Sequence, residues 1–265
     1  MPRAVAARRT HLVVGDAHFN PSEPGLERAD WLGRAIVDLR PDVVVILGDW
    51  WSLDSLSRFS PPGSLTMEGA RLADDLDVGR EALGRVRKQL DDANRNVRGK
   101  NKIAPEMHLT LGNHEERLLI QLEETPSRLM GFLDEGSFGA ALYGFLQHSF
   151  LEDITIDGVA YCHYFDRHGR PPPANSKYPA GSVLAQQHRS VVFGHTHRLA
   201  FALEPAGATR IQALNAGCYF EHREEYAKSS NIALWWRGLC VLRNVHQGTF
   251  DLETISMSRV REKYG

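Results

Sequence analysis

The sequence predicts an α/β fold, with parallel strands and covering helices first and an antiparallel set last. Three observations carry this. Short, nearly continuous apolar runs at residues 11–15, 42–47, 107–111 and 191–193 alternate with longer segments, several of helical period. Such runs read as strands buried on both faces of a sheet. Each run gives way to Gly and polar side chains, where a strand passes into a loop. Beyond residue 198 the apolar runs follow one another without helical segments, as in antiparallel strands joined by turns.

The elements follow in order. The first strand, residues 11–15, ends at Asp16, and a polar loop with Pro21, Pro24 and Gly25 comes next. Leu26, Ala29, Leu32, Ile36 and Leu39 recur at helical spacing, and Pro41 stops that helix. Residues 42–47 form the second strand and lead into Gly48-Asp49. Residues 50–64, with Pro61, Pro62 and Gly63, are a loop, and residues 66–94 read as one long helix. Residues 98–102 are a small basic, solvated turn. The third strand, residues 107–111, ends in Gly112-Asn113-His114-Glu115. Residues 116–150 are expected to be mainly helical with Gly breaks, as an insertion or cap near 115–150. Residues 154–164 read as a hairpin about Asp157-Gly158. Residues 167–174 contain consecutive prolines and form a loop. Residues 199–203, 210–215, 231–236 and 240–246 are the expected antiparallel strands. No repeat, low-complexity segment or linker interrupts the chain, so one domain over 1–265 is expected.

Composition limits the function classes. The chain has 265 residues, 42% of them apolar and 24% charged, enough to bury a core without disulfides. Lys and Arg total 31 against 33 Asp and Glu, a formal charge of −2. That excludes a strongly basic nucleic-acid coat as the main theme. Only Cys162, Cys218 and Cys240 are present, which argues against a disulfide scaffold or Cys-rich zinc module. No long uncharged apolar run and no signal-peptide pattern occur, so no membrane association and a cytoplasmic location are expected.

The 12 histidines carry the chemistry. Asp16-Ala17-His18, Gly48-Asp49, Gly112-Asn113-His114, His163 and Gly194-His195-Thr196-His197 each follow an expected strand. In an open α/β sheet, ligand sites lie beyond the carboxyl ends of the strands. These groups therefore gather at one edge, and all offer O or N donors. Imidazole suits Zn, Fe and Ni, while carboxylate suits Mn and Mg. Strand alternation turns Cys162 away from His163 and leaves it a small buried apolar residue. In an extended segment, Asp16 with His18 and His195 with His197 would each project to one side. His11, His108, His148, His188, His222 and His246 read as structural or surface residues.

These groups together resemble the motif blocks of the calcineurin-like metallophosphoesterase superfamily, over residues 16–197. The Asn-His-Glu and Gly-His-x-His blocks are the most specific parts. The resemblance implies a four-layered α/β sandwich, two mixed sheets flanked by helices with a dimetal site at the strand ends. It implies two divalent cations (Mn, Fe, Zn or Ni, with Mn favoured in vitro). Asp16, His18, Asp49 and His197 resemble the ligands of the first cation. Asp49, Asn113, His163 and His195 resemble those of the second, with Asp49 as bridge. His114 resembles the catalytic histidine beside the leaving group. Many members carry an acid three positions after the bridging Asp; here that position is Ser52.

Two-metal logic gives hydrolysis by in-line attack of a metal-bridging hydroxide on phosphorus. A phosphodiesterase acting on nucleotides, cyclic nucleotides or nucleic acid is the expected activity. The alternatives are a phosphomonoesterase or protein phosphatase, and a non-catalytic scaffold of the same fold. Arg117, one helical turn after His114, is placed to reach a substrate phosphate. His168 and Arg170 lie on the Pro-rich loop after His163 and could form a substrate lip, as could Arg198 after the last ligand. Trp50 and Trp51 follow Asp49 directly and either stack on a base or pack in the core.

Overall fold

The computed structural model describes residues 8–58, 67–166, 170–172, 176–222 and 232–265. Strands β1 (Arg9–Val14), β2 (Val43–Ile46), β3 (Glu106–Thr110), β4 (Leu146–His148), β10 (Gly238–His246) and β11 (Thr249–Ser256) form one sheet. Its order is β11-β10-β1-β2-β3-β4. Strands β5 (Ile154–Ile156), β6 (Val159–Tyr161), β7 (Val191–Phe193), β8 (Leu199–Ala206) and β9 (Thr209–Ala216) form the second. There the order is β5-β6-β7-β9-β8. Both sheets are mixed: β1, β2, β3 and β4 run parallel and β10 antiparallel to β1, while β6, β7 and β9 run parallel between antiparallel β5 and β8.

Side-chain alternation sorts the core into layers. Leu12, Val14, Val44, Ile46 and Leu109 point outward, against helices α1 (Glu27–Leu39) and α2 (Leu72–Asn94). Val13, Val43, Val45 and Leu47 point inward and meet Val159, Tyr161, Val192 and Leu214 of the second sheet. Ala160, Cys162, Val191, Phe193 and Ala213 face outward again, against Val183 and Leu184 of α5 (Pro179–Gln187). Helices, sheet, sheet and helix thus make four layers. The strand runs are almost uniformly apolar because both of their faces are buried. Cys162 sits on the α5 side, away from His163.

Several elements depart from expectation. Residues 116–150 are only partly helical: α3 (Glu116–Glu124) and the short α4 (Pro126–Leu129) give way to 3-10 turns and then to β4. Gly139 and Gly144, at φ 71° and 85°, cap those turns in the left-handed region and redirect the chain into the sheet. The strands after residue 198 do not form one antiparallel set. The β8–β9 hairpin joins the second sheet, with β9 parallel to β7, while β10–β11 joins the first through β1. Residues 232–236 contain no strand. β11 and a final helix α6 (Met257–Tyr264) extend the first sheet and cover it. The expected hairpin at 154–164 is present as β5–β6, with Asp157 and Gly158 at φ 50° and 84°, the geometry of a two-residue turn. Among the described residues, no helix is long and apolar enough to cross a membrane.

Candidate metal centre

The carboxyl ends of β1, β2 and β3 in one sheet and β6 and β7 in the other converge. The chain bends sharply as it leaves them. His18, Asp49, His195 and His197 all have positive φ, at 47°, 47°, 67° and 58°. Such backbone is uncommon for residues other than Gly, and it concentrates at functional sites. Glycines make the close approach possible. A Cβ on Gly112 would overlap the Asp49 carboxylate, and one on Gly194 would overlap that of Asp16.

The two central carboxylates are held alike. Asp49 Oδ1 accepts the His114 backbone N–H at 2.9 Å. Its Oδ2 lies 3.4 Å from His163 Nε2, 3.8 Å from His18 Nε2 and 4.0 Å from His114 Nε2. Asp16 Oδ1 accepts the His195 N–H at 3.0 Å, and Oδ2 stands 3.0 Å from His197 Nε2. Each carboxylate thus anchors one oxygen on a neighbouring loop and turns the other towards imidazole. Asn113 Oδ1 is 2.9 Å from His163 Nε2 and 2.8 Å from His195 Nδ1. Asp16, His18, Asp49, His114, His163 and His197 are all nearly inaccessible to solvent.

Hydrogen counting tests whether cations fit. His163 Nδ1 lies 2.7 Å from the Leu47 carbonyl, an acceptor only, so the ring proton belongs on Nδ1. In the neutral ring, Nε2 therefore presents a lone pair to Asp49 Oδ2 and to Asn113. Asp16 Oδ2 is buried, with His197 Nε2 3.0 Å away. Lone pairs converge here with too few protons between them, which is the donor arrangement a divalent cation satisfies. The charge balance agrees. Burial, then the nearby Asp16, pushes Asp49 well above the usual carboxylate range. Burial opposes ionisation of Asp16 too, but His197 brings it down to about 2. Burial, then His163, lowers His195 to about 3. Burial, then His114, pulls His18 well down. The lowered His18 and His195 are the neutral imidazoles that metal binding needs, and the raised Asp49 reports two buried carboxylates that call for added positive charge between them.

The sequence-assigned donors Asp16, His18, Asp49, Asn113, His163, His195 and His197 all come together. The expected pairing within motifs does not hold for His195 and His197. Their left-handed backbone is not extended, so His195 faces Asn113 and His163 while His197 faces Asp16.

Other assignments change. Trp50 and Trp51 are both fully buried. Their indole N–H groups donate to the Gly79 and Leu76 carbonyls of α2 at 3.0 and 3.2 Å, so neither ring has a face for a base. Gly79 admits Trp51, because a Cβ there would overlap its indole. Arg117 does not reach into open space: it donates to His114 Nε2 at 3.1 Å and to the Ser52 carbonyl at 2.9 Å. Arg170 is exposed, and Arg198 donates to the Ser176 carbonyl at 2.6 Å. His168 lies outside the described residues.

The structure adds residues with no sequence-level role. Glu115, fully buried, accepts the backbone N–H groups of Asp49, Trp51 and Gly112 at 3.0, 2.9 and 2.7 Å. It ties the Asp49 loop to the Asn113 loop. Burial, then Asp49, pushes it up to about 7. Its only sequence signal was an acid directly following Asn-His. Aromatic rings beside the cluster include Tyr164, 4.7 Å from the His195 ring, and half-buried Trp235, 4.7 Å from that of His197.

No protein-family profile matches the chain, and no curated protein matches it. Among solved structures it is similar to Yfce, a phosphoesterase from E. coli, at 14% identity and a TM-score of 0.38, covering 93% of this chain and 100% of that one. It is also similar to TT1561 of Thermus thermophilus, at 10% identity and a TM-score of 0.30, covering 94% and 99%. With likenesses this distant, the chemistry rests on the geometry of the centre itself.

Proposed function

We propose that this chain is a metal-dependent phosphoester hydrolase. Asp16, His18, Asp49 and His197 would hold one divalent cation, and Asp49, Asn113, His163 and His195 a second. The observation that carries the reading is Asp49 Oδ2, placed within 4.0 Å of the Nε2 atoms of His18, His114 and His163. A carboxylate oxygen so placed suits a bridge between two cations. Divalent cations there would supply Lewis-acid stabilisation of charge on a phosphoryl group. The protein excludes water behind the donors, fixes their orientation through backbone hydrogen bonds, and places His114 beside the bridge. Its Nδ1 lies 2.7 Å from the Ser52 carbonyl, so the proton sits there and Nε2 faces the cluster.

The diester is the preferred substrate class in this reading. A diester carries one negative charge on phosphorus and a monoester nearly two, and the second charge calls for an added cationic donor. Arg117 is such a cation and favours the monoesterase alternative, but its Nη1 and Nη2 already donate to Ser52, Leu53 and His114. With Trp50 and Trp51 buried, a base would have to meet half-buried Trp235 instead. Manganese is the metal proposed for assay, and nucleotides or nucleic acid are the proposed natural diesters.

The test is a Mn²⁺ titration with metal analysis, followed by rates on bis-p-nitrophenyl phosphate and p-nitrophenyl phosphate. Two metals per chain, with higher kcat/KM on the diester, is the expected result. Metal without turnover of either ester would favour the scaffold reading. A clear monoester preference would overturn the diester class alone.

A further inference from the structure

The His114 ring is held at both nitrogens, and Arg117 holds one of them. The proton on Nδ1 goes to the Ser52 carbonyl, 2.7 Å away. Arg117 Nη1 donates to that same carbonyl at 2.9 Å and to the Leu53 carbonyl at 3.3 Å, while Nη2 donates to His114 Nε2 at 3.1 Å. His114, Ser52 O and Arg117 thus close a triangle of hydrogen bonds. The triangle ties the loop after β2, where Leu53 has φ 47°, to the first turn of α3. Arg117 is itself largely buried, its side chain 15% exposed. A guanidinium suits this place because its planar fork can address two carbonyls and a ring nitrogen at once, and a lysine ammonium lacks that fork.

We infer that Arg117 is a positioning residue, which sets the rotation and tautomer of His114 so that Nε2 faces the Asp49 bridge. This rests on the phosphoesterase reading for its kinetic consequence but not for its structural one. Without Arg117 the ring keeps a single hydrogen bond, to Ser52, and its edge contact with the His18 ring. It then turns about Cβ–Cγ, and Nε2 is no longer held near Asp49 Oδ2. A misplacement of about 1 Å in a reacting constellation costs about 10²-fold in rate.

The experiment uses Arg117→Ala, Arg117→Lys and Arg117→Gln in the full chain, the last as the milder change if the others unfold. Long-range ¹H–¹⁵N spectra of the histidine rings are recorded first, since they need no turnover. Wild type should show His114 as a single tautomer protonated on Nδ1, and each variant should show a tautomer mixture. Under Mn²⁺, kcat should fall about 10²-fold in Arg117→Ala with KM and metal content unchanged. The fall should be larger for alkyl than for nitrophenyl leaving groups. Methylguanidinium should restore part of kcat in Arg117→Ala and none in Arg117→Lys, whose ammonium fills the space. A raised KM with intact kcat would instead make Arg117 a phosphate contact and overturn the inference. So would an unchanged tautomer, or loss of metal along with activity. If wild type hydrolyses no ester, the phosphoesterase reading fails while the spectra still decide the role of Arg117.

Discussion

Glu115→Gln separates a carboxylate that builds the centre from one that merely fills space. In the structure, Glu115 Oε2 accepts from Asp49 N and Gly112 N, and Oε1 accepts from Trp51 N. Glutamine keeps one acceptor oxygen. Placed where Oε2 sits, that oxygen retains the Asp49 and Gly112 contacts, and the new NH₂ then faces the Trp51 N–H, donor against donor. One hydrogen bond to a charged group is lost, about 1.5–3 kcal/mol, and a buried N–H is left unsatisfied at about 1–3 kcal/mol. Removing a charge that burial and Asp49 already disfavour returns part of this. The net expectation is a loss of about 2–3 kcal/mol in the metal-free protein. Urea unfolding reads it as a lower midpoint at unchanged m-value. Because the Trp51 N–H lies two residues beyond Asp49 on the same loop, losing its acceptor loosens the Asp49 loop, and metal affinity should fall about 10–100-fold, the range for outer-shell partners. A midpoint shift worth under about 0.5 kcal/mol, with unchanged metal affinity, would refute the bridging role.

Three further outcomes follow. Asp49→Ala should remove most bound metal, since Asp49 Oδ2 is the atom common to three imidazole contacts; retained stoichiometry by metal analysis would contradict its place as bridge. Trp51→Ala should cost about 3–5 kcal/mol of stability, as for a buried aromatic, and leave the KM ratio of nucleotide to small synthetic diesters unchanged; a selective rise for nucleotides would reinstate base stacking. His11 tests pH dependence away from the centre. It is fully buried, with Nδ1 2.6 Å from the Tyr161 hydroxyl and Nε2 2.9 Å from Asp157, whose carboxylate also meets Arg9 at 3.3 Å. Burial lowers its pKa below 6.5, against the pull of Asp157. The unfolded chain therefore takes up the proton first, and stability falls as pH drops below 6.5, by at most about 1.4 kcal/mol per pH unit for one proton. His11→Gln should flatten the fall in Tm between about pH 7 and 5; an unchanged slope would show that His11 does not titrate there.

Much of the centre was legible because its information is local. A strand ending in Gly-Asp or Gly-Asn-His carries both its geometry and its donors in a few residues, and the seven expected donors all follow the carboxyl ends of strands in two facing sheets. What was not legible depends on distant partners. Trp50 and Trp51 adjoin the bridging Asp49, yet Gly79 of α2 decides that Trp51 is buried. Arg117 sits at phosphate-reaching spacing, yet carbonyls of another loop take its donors. Strand β4 is three residues long, and only the open edge of β3 makes it a strand. β10 reads as the last of an antiparallel set until its pairing with β1 places it in the other sheet.

The backbone of the donors shows why spacing alone misread the direction of His195 and His197. An extended segment would send both to one side, and the left-handed φ at each sends them to opposite ends of the cluster. Several other non-Gly residues with positive φ occupy ordinary places. Arg40 closes α1, and Asp157 and Gln247 turn hairpins. His18, Asp49, His195 and His197 instead adopt it beside one another, at about 1–3 kcal/mol each for a sparsely populated conformation. Packing must over-determine them. The Asp16 and Asp49 hydrogen bonds to the backbone of His195 and His114, and the anchoring of Asp49 N by Glu115, are the contacts that do so. Donors fixed in advance need little reorganisation to accept a cation. The same rigidity keeps repelling carboxylates together in the metal-free protein, so cation binding should raise Tm by more than a flexible surface site of equal donor number would allow.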